Sequence, residues 1–244
     1  RIDTTSSDDV WGERFNRALY QANLGLSSAE RVQIELAHKK CVTFEELYDF
    51  ARSLPWEYYA DEGVFFHLSG WSRKSKLYGI PSCQSLVKRA IMDRLIEVRN
   101  LPEGSKIAED PEKGEARIQI VIQNDVVSLR LDTSGEGLHK RGYRLEQGEA
   151  PIKETLAAAL IHLSLWPRRR GEGLYDPFCG SGTFVIEAAR YAKGIAAGSL
   201  RNFRFESWND NDSSLRQDYL QVPTPEISTG PILGSDIDPA ALEL

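Results

Sequence analysis

The sequence predicts an α/β protein in two parts, a small α+β domain followed by an open, parallel α/β layer. Three observations carry this. Short alternating apolar runs and helical stripes share the first half with no glycine-rich nucleotide loop, a glycine-rich polar break falls near residues 133–150, and a strand, a glycine turn and a helix follow directly on one another at 174–189. The length of 244 residues suits two modest cores, since one takes roughly 100–200 residues. A hydrophobic content of 41% against 27% charged residues is that of a chain able to bury them.

In chain order, Val32, Ile34 and Leu36 alternate with polar neighbours, the period of a half-buried strand. A helix follows, opened by Thr43 with Glu46 three residues on, the capping-box spacing. Phe44, Leu47, Tyr48, Ala51 and Leu54 fall on one face before Pro55 stops it. Val64, Phe66 and Leu68 read as a second strand. Leu86, Val87, Ala90, Ile91 and Leu95 make a helical core stripe opposed by Lys88, Arg89 and Arg94. Ile118, Ile120 and Ile122, then Val127, Leu129 and Leu131, flank Asn124-Asp125 as a hairpin does. After the break, Pro151 opens a helix whose Leu156, Leu160 and Leu163 are expected in the core, ending near Trp166-Pro167.

The chemistry concentrates in two segments. Leu174 to Thr183 is a strand running into Asp176-Pro177-Phe178-Cys179-Gly180-Ser181-Gly182-Thr183, where Gly180 and Gly182 let a ligand approach the backbone and the helix N-terminus, with Ser181 and Thr183 adding hydroxyls. Residues 231–239 read as a buried strand ending in Asp236 and Asp238. An acid in that place accepts ribose hydroxyls; Asp238 fits equally well as the N-cap of a helix opened by Pro239. A dinucleotide fingerprint is disfavoured, because position 185 is Val and the acid lies some 60 residues beyond Asp176 rather than about 20. A nucleoside triphosphate loop is disfavoured because no lysine follows the glycine. Asp176 suits a ligand with an amino group and would repel a pyrophosphate.

The run 176–183 with Ile186-Glu187-Ala188-Ala189 resembles the cofactor loop of the THUMP-containing class I methyltransferases that modify guanine N2 in bacterial large-subunit rRNA. Residues 132–135, 138–144, 150–159 and 203–208 look like that family's stretches in the same order, as do Asn23-Leu24 and 47–56. The resemblance implies an N-terminal α+β THUMP-type RNA-binding domain followed by a Rossmann-like methyltransferase domain, truncated here: a ferredoxin-like remnant at 1–42, THUMP at 43–135, a linker at 136–150 and the methyltransferase part at 151–244. It implies S-adenosyl-L-methionine as cofactor, held by Asp176, Phe178, Gly180, Ser181, Gly182, Thr183, Asp236 and Asp238. The family's Asn-Pro-Pro-Tyr-like catalytic motif is expected beyond Leu244, so no residue present is assigned to catalysis. Ile195-Ala196-Ala197-Gly198 departs from the family where relatives place proline third.

The net charge of −6 argues against bulk electrostatic binding of nucleic acid, leaving local clusters to do it. Two basic stretches carry aromatic neighbours: Arg73, Lys74 and Lys76 beside Trp71 and Tyr78, and Lys140, Arg141 and Arg144 around Tyr143. Both are candidates for contact with large-subunit rRNA; the plainer reading is a solvated surface for the first and a structural linker for the second. Arg168-Arg169-Arg170 is a third basic run. Cys41, Cys83 and Cys179 are widely spaced, which points to a reducing cytoplasm and no disulfide or zinc framework, and Cys179 reads as loop packing rather than a nucleophile. The four histidines suggest no metal. No run of about 18 apolar residues appears and residues 1–9 lack a signal core, so no membrane association is expected. An adenine-N6 methyltransferase shares the same loop, and a non-catalytic RNA-binding factor could retain the fold; both stay as alternatives.

Overall fold

The computed structural model describes residues 12–59, 63–102, 104–144, 152–166, 169, 171–208, 211–222 and 226–242. Pro151, Gly148, Pro167, Arg168 and Arg170 lie outside the described residues. The chain divides into two compact units, one made of Val32–Gly135 and Phe203–Asn211, the other of Arg1–Arg31, Glu136–Asn202 and Asp212–Leu244.

Among the described residues the first unit is a four-stranded sheet with two α-helices. Its strands are β1 (Gln33–Lys40), β2 (Phe65–Arg73), β3 (Glu115–Gln123) and β4 (Val126–Asp132), in the order β1-β4-β3-β2. Residue types at the turns dictate much of this. Asn124 and Asp125 take left-handed φ of 50° and 62°, the conformation a two-residue hairpin turn needs, and β3 and β4 pair antiparallel across it. β2 and β3 are parallel, so a crossover must join them; α3 (Ile80–Val98) is in that connection. The helix α2 (Phe44–Arg52) opens with the expected reciprocal cap, the Thr43 hydroxyl accepting from Glu46 N–H while the Glu46 carboxylate accepts from Thr43 N–H. Leu47, Phe50 and Ala51 are its buried face, whereas Phe44, which spacing puts on one face with Leu47 and Ala51, is exposed.

Two features of this unit escape a linear reading. Its sheet begins before the expected domain start at 43, because β1 pairs antiparallel with β4 from Gln33 to Lys40, with one shift of register between Glu35 and Ala37. It is also completed from far along the sequence. Phe205 N–H donates to Thr133 C=O at 3.1 Å, its ring is fully buried, and Trp208 stacks edge-on against Tyr59 at 5.4 Å.

The second unit holds α1 (Glu13–Gly25), α4 (Glu154–Leu163), β5 (Leu174–Asp176), α5 (Thr183–Ala192), α6 (Ser214–Gln221), β6 (Ile232–Gly234) and α7 (Pro239–Leu242). The parallel pair β5-β6 registers Leu174 with Ile232 and Asp176 with Gly234. Its core joins Ile161, Trp166, Ala188 and Ala192, with Leu174 and Ile232 packed against them. Residues 136–144, expected as linker, belong to this unit, because Arg141 is buried in it.

Two expectations about burial are corrected. Leu156, Leu160 and Leu163 are exposed, and α4 instead buries Glu154, Ala157, Ala158 and Ile161. The helix is apolar around most of its circumference, and the face with small side chains allows the closer approach to α5. β6 is not a buried strand: Ile232 is half-buried and Leu233 exposed, since core residues pack against only one face of the pair.

Candidate functional site

The parallel pairing of β5 and β6 sets the site. Because both strands run the same way, the glycine turn after Asp176 and the acidic turn after Gly234 emerge at one end of the pair and are bonded to each other. Ser235 N–H donates to Asp176 C=O at 2.9 Å, and Cys179 N–H donates back to Ser235 C=O at 3.0 Å. Gly180 N–H donates to the Asp236 carboxylate at 2.8 Å, and the Tyr175 and Ser235 hydroxyls lie 2.7 Å apart. A Cβ on Gly234 would lie 2.8 Å from Cys179 Cβ, so this close approach requires glycine there. Gly180 and Gly182 take left-handed φ of 51° and 77°, and Gly182 caps α5, its C=O accepting from Ile186 N–H at 2.8 Å. The first amides of α5 have no intrahelical acceptor and carry the positive end of the helix dipole beside the turn.

Asp236 is held ionised. The N–H groups of Asp238 and Gly180 donate to its two oxygens and pull its pKa below the usual aspartate value. A carboxylate oxygen has two lone pairs, so each keeps one for a ligand hydroxyl. Asp238 accepts from Ala240 N–H at 3.0 Å and thereby caps α7, the second of its two anticipated roles. Asp176 accepts from Phe178 N–H at 3.0 Å, a turn-closing bond, and the Phe178 ring is 87% exposed beside the turn. Ser181 is half-buried in the turn.

Thr183 departs from expectation. It is buried, and its hydroxyl accepts from the Arg144 guanidinium, so it faces protein rather than an open crevice. Burial first, then the Asp176 and Asp236 carboxylates, push the Cys179 thiol up, which keeps it protonated and suits packing rather than nucleophilic attack.

The two basic stretches part company. Arg73, Lys74 and Lys76 are exposed, with Trp71 and Tyr78 exposed beside them, and the loop is pinned where Lys76 N–H and the Ser75 hydroxyl donate to Asp125. Strand register adds Lys39 and Lys40 to this end of the sheet, opposite Val127 and Val126 across the ladder, while Cys41 N–H donates to Asp125 C=O. Nothing in the linear spacing brings 39–40 beside 73–76; only the pairing of β1 with β4 does. Around Tyr143, by contrast, Arg141 is 2% exposed and paired with Glu187 at 3.3 Å, and it also donates to the carbonyls of Leu138 and Ser27. Arg144 is paired with Glu154 at 3.3 Å. These two arginines are internal ties rather than an RNA-facing surface; Lys140 alone of the three is exposed, paired with Glu136. Among the described residues no group of three or more His, Cys, Asp or Glu is placed to hold a metal ion, and no helix is long and apolar enough to cross a membrane.

A glycine turn tied to a strand-end carboxylate at one end of a parallel pair is the arrangement of a Rossmann-like α/β domain. The comparisons narrow the class. Residues 41–132 match the THUMP domain and residues 141–244 match the RMKL-like methyltransferase domain, UPF0020. The chain therefore joins a THUMP domain to an RMKL-like methyltransferase domain. Ribosomal RNA large subunit methyltransferase K/L of Methylococcus capsulatus is 35% identical over 233 residues, covering 92% of this chain and 31% of the relative. YpsC of Bacillus subtilis (strain 168), whose name carries a provisional RNA methyltransferase assignment, is 43% identical over 192 residues, 78% of this chain and 48% of the relative. A Listeria monocytogenes structure, named as a predicted N6-adenine-specific DNA methylase, superposes with a TM-score of 0.78 at 41% identity over 93% of this chain and 59% of that one. The SMU.472 protein complexed with SAH superposes with a TM-score of 0.74 at 37% identity, over the same shares. The chain thus spans between about a third and a half of the length of these curated relatives.

Proposed function

We propose that this chain is the RNA-gripping and cofactor-binding part of an S-adenosyl-L-methionine-dependent methyltransferase acting on the exocyclic N2 amine of a guanine in 23S rRNA. The observation that carries the cofactor reading is the bond from Gly180 N–H to the Asp236 carboxylate, which joins the glycine turn and the strand-end acid at one end of the strand pair. The residues present fit the group. A Cβ at Gly180 would meet open space, leaving room over the turn, and Asp236 retains acceptor capacity for ribose hydroxyls. Asp176, Phe178, Gly180, Ser181, Gly182 and Asp236 would hold the cofactor, with Asp238 and Thr183 shaping the turns behind them. When bound, S-adenosyl-L-methionine supplies an electrophilic methyl group on a sulfonium. The chain's own part is to fix the adenosine through Asp236, to offer turn amides to the amino-acid tail, and to keep Cys179 a neutral thiol in the loop.

The RNA reading rests on the THUMP match and on Lys39, Lys40, Arg73, Lys74 and Lys76 beside Trp71 and Tyr78, a cationic patch with aromatic faces on which unpaired bases can stack. We place the protein in the cytoplasm, where free thiols such as Cys41, Cys83 and Cys179 stay reduced. The Listeria relative named for adenine N6 favours a second reading, methylation of adenine. Calorimetry with S-adenosylhomocysteine tests the first step: the full-length protein is expected to bind it and Asp236→Ala to lose at least tenfold in affinity, about the worth of charge-assisted hydrogen bonds. No binding by the unaltered protein would turn the reading toward a non-catalytic RNA-binding factor. Nucleoside analysis of RNA methylated by the enzyme then separates N2-methylguanine from N6-methyladenine.

A further inference from the structure

Arg144 is a residue whose place in the fold neither RNA contact nor the linker reading accounts for. Its guanidinium donates to the hydroxyl of Thr183, the first residue of α5, and lies 3.3 Å from the carboxylate of Glu154, the first residue of α4. Thr183 directly follows Gly182, whose left-handed φ of 77° makes the turn. One planar group thus bridges the starts of two helices at the place where the glycine turn ends. The placement runs against the usual electrostatic preference, because a helix N-terminus favours anions over cations. Glu154, the carboxylate paired with Arg144 among the described residues, offsets the charge, and both side chains are largely buried, at 14% and 7% exposure. A lysine would not serve equally: the two bonds need donors set apart in a rigid fork.

We propose that Arg144 is a positioning residue for the cofactor turn, fixing the first turn of α5 against α4 so that the amides around Ser181 and Gly182 are held ready for the amino-acid tail of the cofactor. This rests on the cofactor reading above. The adenosine half is held through Asp236, whose bonds come from Gly180 and Asp238 and do not involve Arg144. Loss of Arg144 therefore weakens the hold on the tail and spares the hold on the nucleoside.

The test compares two ligands on the full-length protein by calorimetry: S-adenosylhomocysteine, which carries the amino-acid tail, and 5′-methylthioadenosine, which lacks it. For Arg144→Met, affinity for S-adenosylhomocysteine is expected to fall about tenfold or more while that for 5′-methylthioadenosine changes less than about twofold. Arg144→Lys, able to make one of the two bonds, falls between. Thr183→Val, which removes the acceptor and leaves the arginine, reproduces the Arg144→Met pattern, and the double variant is no weaker than either single one. Equal losses for both ligands, as general damage to the fold gives, overturn the inference, as does unchanged affinity for both. If the unaltered protein binds S-adenosylhomocysteine yet is indifferent to Arg144, the inference alone falls; if it binds neither ligand, the cofactor reading falls first and takes the inference with it.

Discussion

Asp236 shows how one side chain can tie together two turns that are distant in sequence. Its two oxygens accept from the N–H groups of Asp238 and Gly180, so the ionised form is the one that ties the two turns. Both bonds favour the charged carboxylate and depress the folded-state pKa below the ordinary 3.8. The sign of the linkage follows: a depressed carboxylate contributes stability that is fully present above the unfolded value near 3.8 and is lost as the pH falls through the lower folded value. The Gly180 amide proton, followed by NMR, should titrate with a midpoint below 3.8 and show no such titration in Asp236→Asn. A midpoint at or above that value would mean that the tie between the turns does not form in solution. The acid itself was legible in the sequence from its place at the end of an apolar run, and its second bond was not, because Gly180 lies 56 residues away.

At the scale of elements, what could be read from the sequence was whatever is settled locally. The capping box of α2 spans three residues, the hairpin turn two, and both formed as their residue types require. The face of α4 was misjudged because leucines at helical spacing and a stripe of Ala157, Ala158 and Ile161 compete on one helix, and only the neighbour decides between them. The segment 138–144 was misjudged for the opposite reason, since a run of cations looks solvated until its partners are known. Arg141 and Glu187, 46 residues apart, are 2% and 4% exposed and form a buried pair, with the Tyr143 hydroxyl donating to the same carboxylate at 3.1 Å. Burial first, and the adjoining Glu187 carboxylate next, push the Tyr143 phenol far up and keep it a neutral donor. Removing one member of such a pair strands the other. Arg141→Met is expected to cost about 3–5 kcal/mol in urea denaturation, and the double variant with Glu187→Met to recover much of it. A single substitution that is nearly neutral would mean that the pair is open to water.

At the scale of the whole chain, each compact unit draws on stretches that are distant in sequence. The THUMP-type unit takes its sheet from 33–132 and then closes with Phe203–Asn211, a stretch the sequence presents as part of the second half. That stretch has no strand or helix periodicity to announce it, being a short 3-10 turn at Arg204–Ser207, and its worth lies in aromatic packing. Phe205 is wholly buried, Phe203 and Trp208 nearly so, and the Phe203 and Phe205 rings stack at 6.0 Å. The family match for THUMP, 41–132, therefore omits residues at both ends that the fold uses: the whole of β1, which supplies an edge of the sheet, and the aromatic closing segment. A fragment that keeps the sheet but lacks the closing segment should suffer for it. Residues 32–135 alone are expected to unfold at lower urea than the same residues joined by a flexible linker to 203–211, and Phe205→Ala in the joined form should cost about 3–5 kcal/mol, the usual loss for a buried phenylalanine. If the two fragments unfold at the same urea concentration, the aromatic segment only rests on the unit and does not complete its core.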